Sequence, residues 1–230
     1  MLIKKYSYRI NNILNNFVGY VTFSICKNKF YYDWNLYLKR YEIIQNIINK
    51  KRFKSFLEIG SYNNDTFDKI LVENKIGVDP EKGGNVRLTS DEFFKTNKFF
   101  FDIIFIDGLH LYEQVRKDFF NSLNFLNPGG IILIHDCLPS KFRDQVRLRS
   151  HELWNGDVWK LIVELRTLDY LELYTIIADH GVAIIKLGKN KNTLKINKDI
   201  KKLNYKDYCN NHFTFMNTIS YEELVKNNFF

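Results

Sequence analysis

The chain has little cysteine. There are three residues in 230, Cys26, Cys137 and Cys209, all far apart. No Cys-x-x-Cys pair exists, so neither a zinc knuckle nor a disulfide framework is supported. A reducing compartment, the cytoplasm, is the expected setting. Long apolar runs are also missing. The piece from Phe17 to Cys26 is too short to span a bilayer and contains Gly19, Tyr20, Thr22 and Ser24. Lys4-Lys5 upstream looks like the start of a signal peptide, but Asn11, Asn12, Asn15 and Asn16 interrupt any apolar core. Gly-x-Gly-x-x-Gly is absent, since the turn that could hold it has only Gly60, which argues against a nicotinamide dehydrogenase. No internal repeat is found.

What is present fits a globular chain. Apolar residues make up 45% and charged residues 26%, and 230 residues suffice for one domain with additions. The net charge of +8 allows an acidic partner: nucleic acid, a phosphorylated small molecule or a membrane surface. The same charge also follows from a chain rich in Lys, Asn, Ile, Phe and Tyr, the residues of AT-rich codons. Many of the lysines lie in the last quarter, away from any motif.

The organising stretch is Phe101 to His110. Ile103 to Ile106 is a continuous apolar run, as a strand buried on both faces requires. It stops at Asp107-Gly108, and His110 follows. A second such run, Gly130 to Ile134, ends in His135-Asp136. In open parallel α/β sheets, ligands bind at the carboxyl ends of the strands. One acid after a strand is usually a turn or cap residue; two strand ends each carrying Asp and His favour a functional reading.

The other elements are read in order. Residues 1–52 are expected to be helical in two pieces, the second carrying Tyr41, Ile44, Ile47 and Ile48 on one face. Phe53 to Ile59 is a strand that Gly60 ends. Ser61 to Asp65 form a polar turn, and Asn64 or Asp65 is expected to cap a helix from about Thr66. Strand, glycine turn and helix start together make an anion site. Lys75 to Asp79 is a short strand ending in an acid nineteen residues after Gly60, placed to bond ribose hydroxyls; the alternative is a plain Asp79-Pro80 turn. A third short strand is expected at Asn85 to Leu88. Ser90 is the expected cap of the next helix, in a loop that could face a purine ring.

Leu111 to Leu126 reads as a helix stopped by Asn127-Pro128-Gly129-Gly130. Residues 137–153 read as a polar loop with Lys141, Arg143, Arg147 and Arg149, either a basic lid for an anionic substrate or a solvated loop. Asn155 is the expected cap of a helix holding Trp159, Ile162, Val163 and Leu165, while Trp154 could face a substrate. Leu171 to Ala178 and Val182 to Leu187, joined by Asp179-His180-Gly181, are expected to pair as an antiparallel hairpin. Residues 189–230 form a basic extension with a short helix near Tyr221 to Val225.

Several of these motifs stand in a familiar order. Phe56-Leu57-Glu58-Ile59-Gly60, Gly77-Val78-Asp79-Pro80, Asp107-Gly108-Leu109-His110, Pro128-Gly129-Gly130 and His135-Asp136 resemble class I S-adenosylmethionine-dependent methyltransferases over residues 53–188. The Asp-Gly-x-His and His-Asp pair is similar to the branch of macrolide and surface-glycan sugar O-methyltransferases. The resemblance implies a Rossmann-like α/β sheet, mostly parallel with an antiparallel terminal hairpin and helices on both faces. Glu58 and Gly60 would shape the methionine end of the cofactor, together with Ser61, Tyr62 and Asn64 of the turn. Asp79 would hold the ribose, Ser90 would lie near the base, and Asp107 beside the methyl. Asp107 and Asp136 would hold a divalent metal such as Mg²⁺, with His110 the base and His135 its rival. Two positions depart from the family: Asn64 replaces a glycine, and His135 stands where metal-binding relatives carry an acid. Magnesium prefers oxygen ligands, so that imidazole does not suit it.

The expected activity is methylation of a hydroxyl on a sugar, a nucleotide-linked sugar or a related anionic small molecule, with Arg143, Arg147, Arg149 and Trp154 on the acceptor. Association with a second copy is left open. The alternatives are a nucleic-acid methyltransferase, which would show Asn/Asp-Pro-Pro-Tyr/Phe where Asp107-Gly108-Leu109-His110 stands, and a hydroxylase-like relative using a metal on the same fold.

Overall fold

The computed structural model describes residues 13–15, 17–21, 26, 30–149 and 152–230. Its centre is a seven-stranded sheet in the order β2-β1-β3-β4-β6-β5-β7. The strands are β1 (Ser55–Ile59), β2 (Asn74–Val78), β3 (Phe101–Ile106), β4 (Leu126–Ile134), β5 (Leu171–Ile176), β6 (Val182–Leu187) and β7 (Thr218–Ile219). All neighbouring pairs are parallel except those made by β6, which runs antiparallel to both β4 and β5. This is the expected sheet with its antiparallel hairpin.

Alternation along the strands builds two cores. Leu57, Ile104, Ile106, Ile132 and Ile134 pack on one face with α2 (Ser90–Thr96), α3 (Tyr112–Leu123), α4 (Trp159–Leu165) and α5 (Tyr205–Met216). Phe56, Ile103, Phe105, Ile131 and Leu133 pack on the other with α1 (Arg40–Lys51) and α6 (Tyr221–Lys226). Successive side chains of a strand point to opposite faces, so a sheet covered on both sides needs the unbroken apolar runs seen in β3 and β4. Truncating one of these fully buried isoleucines to alanine costs about 2–5 kcal/mol.

Six local expectations are corrected. The helix from Thr66 is only a 3₁₀ turn, Phe67–Lys69, with no side-chain cap. Asn64 adopts a left-handed φ of 63°, and its side chain accepts from the Gly84 backbone instead of capping. The strand at Asn85 to Leu88 reduces to a single bridge, Val78 to Val86. Thr89, not Ser90, caps α2: its hydroxyl accepts from Glu92 N while Glu92 accepts from Thr89 N. Helix α3 ends at Leu123, and the Asn-Pro-Gly-Gly segment lies within β4. Asn155 does not cap α4, which starts at Trp159; its amide donates to Asp136 Oδ1 at 2.8 Å.

The N-terminal helical expectation falls partly on residues outside those described; within it, 13–15 and 17–21 are helical. The second piece is α1, with Ile43, Ile44, Ile47 and Ile48 buried. Residues 189–230 contain more structure than one short helix. They add α5 and the edge strand β7, which pairs with β5 through Thr175–Thr218 and Ile176–Ile219. Among the described residues no helix is long and apolar enough to cross a membrane.

Candidate active site at the carboxyl edge of the sheet

The ends of β1, β3 and β4 converge. Gly60 N donates to the Val78 carbonyl and Asp107 N to the Ile59 carbonyl, which draws the three strand ends of β1, β2 and β3 together. Gly60 has φ of 89°, and a Cβ there would overlap the Asp107 backbone, so only glycine fits. Asp136 has φ of 60°, a conformation costly for a non-glycine residue. The Asn155 amide on its Oδ1 helps to hold it there.

Four side chains meet at this edge. His135 Nδ1 lies 3.0 Å from Asp107 Oδ1 and His110 Nε2 3.4 Å from the same oxygen. His110 Nδ1 lies 3.2 Å from Asp136 Oδ2. Asp107, His110 and Asp136 each offer a ligand atom within 4.8 Å of the others. The two strand-end Asp-His pairs therefore form one cluster.

Hydrogen-bond geometry separates the two histidines. His135 Nε2 lies 2.7 Å from the Asp179 carbonyl, which can only accept, so this nitrogen carries a proton. Its Nδ1 faces the Asp107 carboxylate and also donates. His135 is thus an imidazolium. Burial alone would lower its pKa, but Asp107 and Asp136 outweigh that and lift it to about 9. In His110, Nδ1 donates to the Trp154 carbonyl at 2.6 Å, which leaves Nε2 as the nitrogen able to accept a proton. Its pKa is also raised, with burial opposed by Asp136 and Asp107. Asp107 is held far below the ordinary carboxylate range: burial works against ionisation, but His135, His110 and Arg40 prevail.

At the end of β1, Glu58 is 2% exposed, and burial, then Asp107, pushes its pKa up to about 8. Its Oε2 and the buried Ser61 Oγ find no hydrogen-bond partner beyond each other. Asp79 accepts from Tyr62 N at Oδ2 and from Glu81 N and Lys82 N at Oδ1.

Residues 57–137 match the family model described as a methyltransferase domain.

Residues 57–137 hold the ends of β1, β2, β3 and β4. No curated protein sequence matches the chain. Among solved structures, the SAH-bound methyltransferase PaMTH1 of Podospora anserina is similar over 65% of this chain and 78% of that one, with 17% identity and a TM-score of 0.50. The O-methyltransferase TomG of Streptomyces achromogenes, in complex with SAM, gives 11% identity, 65% and 79% coverage and a TM-score of 0.47. MycE of the mycinamycin pathway, in complex with Mg and SAH, gives 16% identity, 65% and 49% coverage and 0.42. The likeness to PaMTH1 is one of fold, and it agrees with the Rossmann-like sheet.

Around the cluster, the other sequence candidates are placed unevenly. Trp154 stacks on His110, with centroids 5.2 Å apart, and its indole donates to the Val146 carbonyl. Gly156, with φ of 58°, lets this loop press onto the His110 backbone, where a Cβ would overlap the His110 carbonyl. Arg147 is committed to Asp157 at 2.7 Å and Glu113 at 2.8 Å. Arg143 lies 3.7 Å from Asp144, and Arg149 donates to the Glu152 carbonyl. Ser90 Oγ accepts from Gln114 on α3 rather than joining the cluster.

Two residues of the site have no sequence signal near the motifs. Arg40, at the start of α1, approaches Asp107 Oδ2 at 3.5 Å and donates to Thr66 Oγ1. Asp179, in the β5–β6 turn, accepts from the Arg40 guanidinium and from Arg40 N. Both Asp179 and His180 have positive φ, 38° and 66°. Asp179 lies in the Asp179-His180-Gly181 connection, which reads locally only as a hairpin turn.

Proposed function

We propose that this chain is an S-adenosylmethionine-dependent O-methyltransferase acting on a hydroxyl of a sugar or nucleotide-linked sugar, with the cofactor at the ends of β1 and β2 and the acceptor beyond Asp107 and His110. The observation that carries the reading is the Asp107–His110–Asp136 cluster at the edge of a methyltransferase-domain sheet.

The residues present fit such a cofactor. The buried oxygens of Glu58 and Ser61, with no partner beyond each other, suit the polar methionine end. A carboxylate offers about four acceptor positions. Backbone donors use three of them at Asp79, leaving one on Oδ2 for a ribose hydroxyl. When bound, the cofactor supplies an electrophilic methyl on sulfur. His110 Nε2 takes the acceptor's hydroxyl proton, and Trp154 fixes the ring through the proton on Nδ1. His135, protonated on both nitrogens, holds Asp107 in place and is not a base. Alternatively, Asp107, Asp136 and His110 would hold a divalent ion that lowers the hydroxyl pKa, in which case the His110 nitrogen bound to the ion would not be the base. Arg143, Arg147 and Arg149 stand on the loop that would meet an anionic carrier group, each already in contact with a neighbour in that loop or on α3.

Calorimetric titration with S-adenosylmethionine, NAD and RNA separates this reading from its rivals. Saturable binding of the first alone supports it. Binding of NAD or RNA in its place overturns it.

A further inference from the structure

The first helical residues of the chain, 13–15 and 17–21, are laid down inside out. Ile13, Leu14, Phe17, Val18, Tyr20 and Val21 are between 41% and 77% exposed. Their spacing, Ile13 to Phe17 to Val21 with Leu14 and Val18 alongside, puts them on one helix face. The other face holds Asn15 and Gly19, both partly buried. A Cβ on Gly19 would lie 3.0 Å from Phe142 Cβ, so this side rests on the basic loop that follows β4. A surface helix of a globular protein turns its apolar stripe inward. Here the small and polar side goes in, and the aromatic and branched side goes out. A contiguous apolar face in the open marks an interaction surface.

The charge of this segment has one sign. Residues 1–32 contain Lys4, Lys5, Arg9, Lys27 and Lys29 and no Asp or Glu; the first acid is Asp33. They carry five of the chain's eight net positive charges. Lys141 and Arg143 flank Phe142 on the loop beneath. Exposed apolar side chains in a stretch of uniformly positive charge fit the boundary between acyl chains and anionic headgroups. The apolar side chains would enter that boundary, and the cations of the segment would meet lipid phosphates. Tyr20, and Tyr31 at 84% exposure, carry the ring and hydroxyl that partition there. A second copy fits less well. A two-fold contact sets a patch against itself and would bring together two segments of the same charge. The helix would lie on the bilayer, since none among the described residues is long and apolar enough to cross it.

We propose that this N-terminal segment docks the protein on an anionic lipid bilayer, with Ile13, Leu14, Phe17 and Tyr20 at the headgroup–acyl boundary. Docking brings the 137–149 loop, and with it the sheet edge carrying Asp136, toward the headgroup layer. The proposal stands apart from the methyltransferase reading and needs no cofactor.

Co-sedimentation of the full chain with vesicles tests it, with equal parts phosphatidylglycerol and phosphatidylcholine against phosphatidylcholine alone. The expected result is binding to the anionic vesicles that falls as sodium chloride is raised, with little binding to the neutral ones. Phe17→Glu should weaken binding about tenfold or more, because a ring that enters the boundary is replaced by an anion. The position is exposed, so circular dichroism and thermal unfolding should be unchanged. Phe17→Trp should keep binding and gain indole fluorescence that brominated phosphatidylcholine, mixed into the anionic vesicles, quenches. Equal binding to both kinds of vesicle, or full binding by a folded Phe17→Glu variant, overturns the proposal. No vesicle binding overturns it too, and a dimer in light scattering that Phe17→Glu dissolves would then make a second copy the occupant. Methyl transfer enters none of these readouts, so failure of the enzyme reading leaves them untouched.

Discussion

Arg40 meets Asp179 twice, through its guanidinium at 3.0 Å and through its own backbone N–H at 3.1 Å. The pair joins the first residue of α1 to the β5–β6 turn, 139 positions later, and both partners also touch the histidine–aspartate cluster. The guanidinium thus neutralises carboxylates that burial would otherwise penalise.

Removing it should be costly. Breaking a buried ion pair from one side leaves the other charge uncompensated, about 3–5 kcal/mol when both are fully buried. Arg40 is partly exposed, so Arg40→Ala should lose about 2–3 kcal/mol in urea denaturation. Arg40→Lys should recover part of it. A loss below about 0.5 kcal/mol would show that the pair is solvated.

The two histidines should differ in kind. His110→Ala should reduce turnover by roughly 10²–10⁴-fold with cofactor affinity near wild type, because a positioned base is lost. His135→Gln should instead lower stability, since Asp107 loses its closest cation. Full turnover in His110→Ala would remove it as the base.

Acid should weaken the fold through His212. This residue is fully buried, its Nε2 shares a hydrogen bond with the Tyr32 hydroxyl at 2.7 Å, and burial pushes its pKa down to about 3. The folded state keeps it neutral, while the unfolded chain protonates it near its ordinary value of about 6.5. Its contribution is therefore intact above pH ~6.5 and declines between there and about 3, by at most about 1.4 kcal/mol per pH unit. A His212→Gln variant should show a shallower loss of stability over that window. Parallel profiles would contradict the assignment.

A metal, if taken up, should be of the borderline class. One imidazole with two carboxylates suits Mn²⁺ better than Mg²⁺. Thermal unfolding should rise more with Mn²⁺ than with Mg²⁺, and Asp136→Asn should abolish the rise. No shift with either ion would leave the two aspartates a metal-free role.

Much of the sheet was legible because β3 and β4 are apolar runs with abrupt polar ends. The cluster at Asp107, His110, His135 and Asp136 was legible for the same reason: strand ends fix where their next residues go. Elements set by tertiary contact were not. Asn64 looked like a helix cap, but its left-handed backbone turns its side chain to Gly84. Helix α5 was hidden among lysines and asparagines, although Tyr205, Tyr208, Cys209, His212, Phe215 and Met216 keep a helical period. Arg40 and Asp179 are joined only by the folded chain, and no local pattern signals them.

The most direct test is mass spectrometry of products after incubation with methyl-labelled S-adenosylmethionine and a panel of nucleotide-linked sugars. One labelled methyl is expected on a sugar oxygen of at least one acceptor, formed by the wild-type protein and nearly absent with His110→Ala. Cofactor turned over with the label on a base nitrogen, or no labelled product from a protein that binds the cofactor and the sugars, would contradict it.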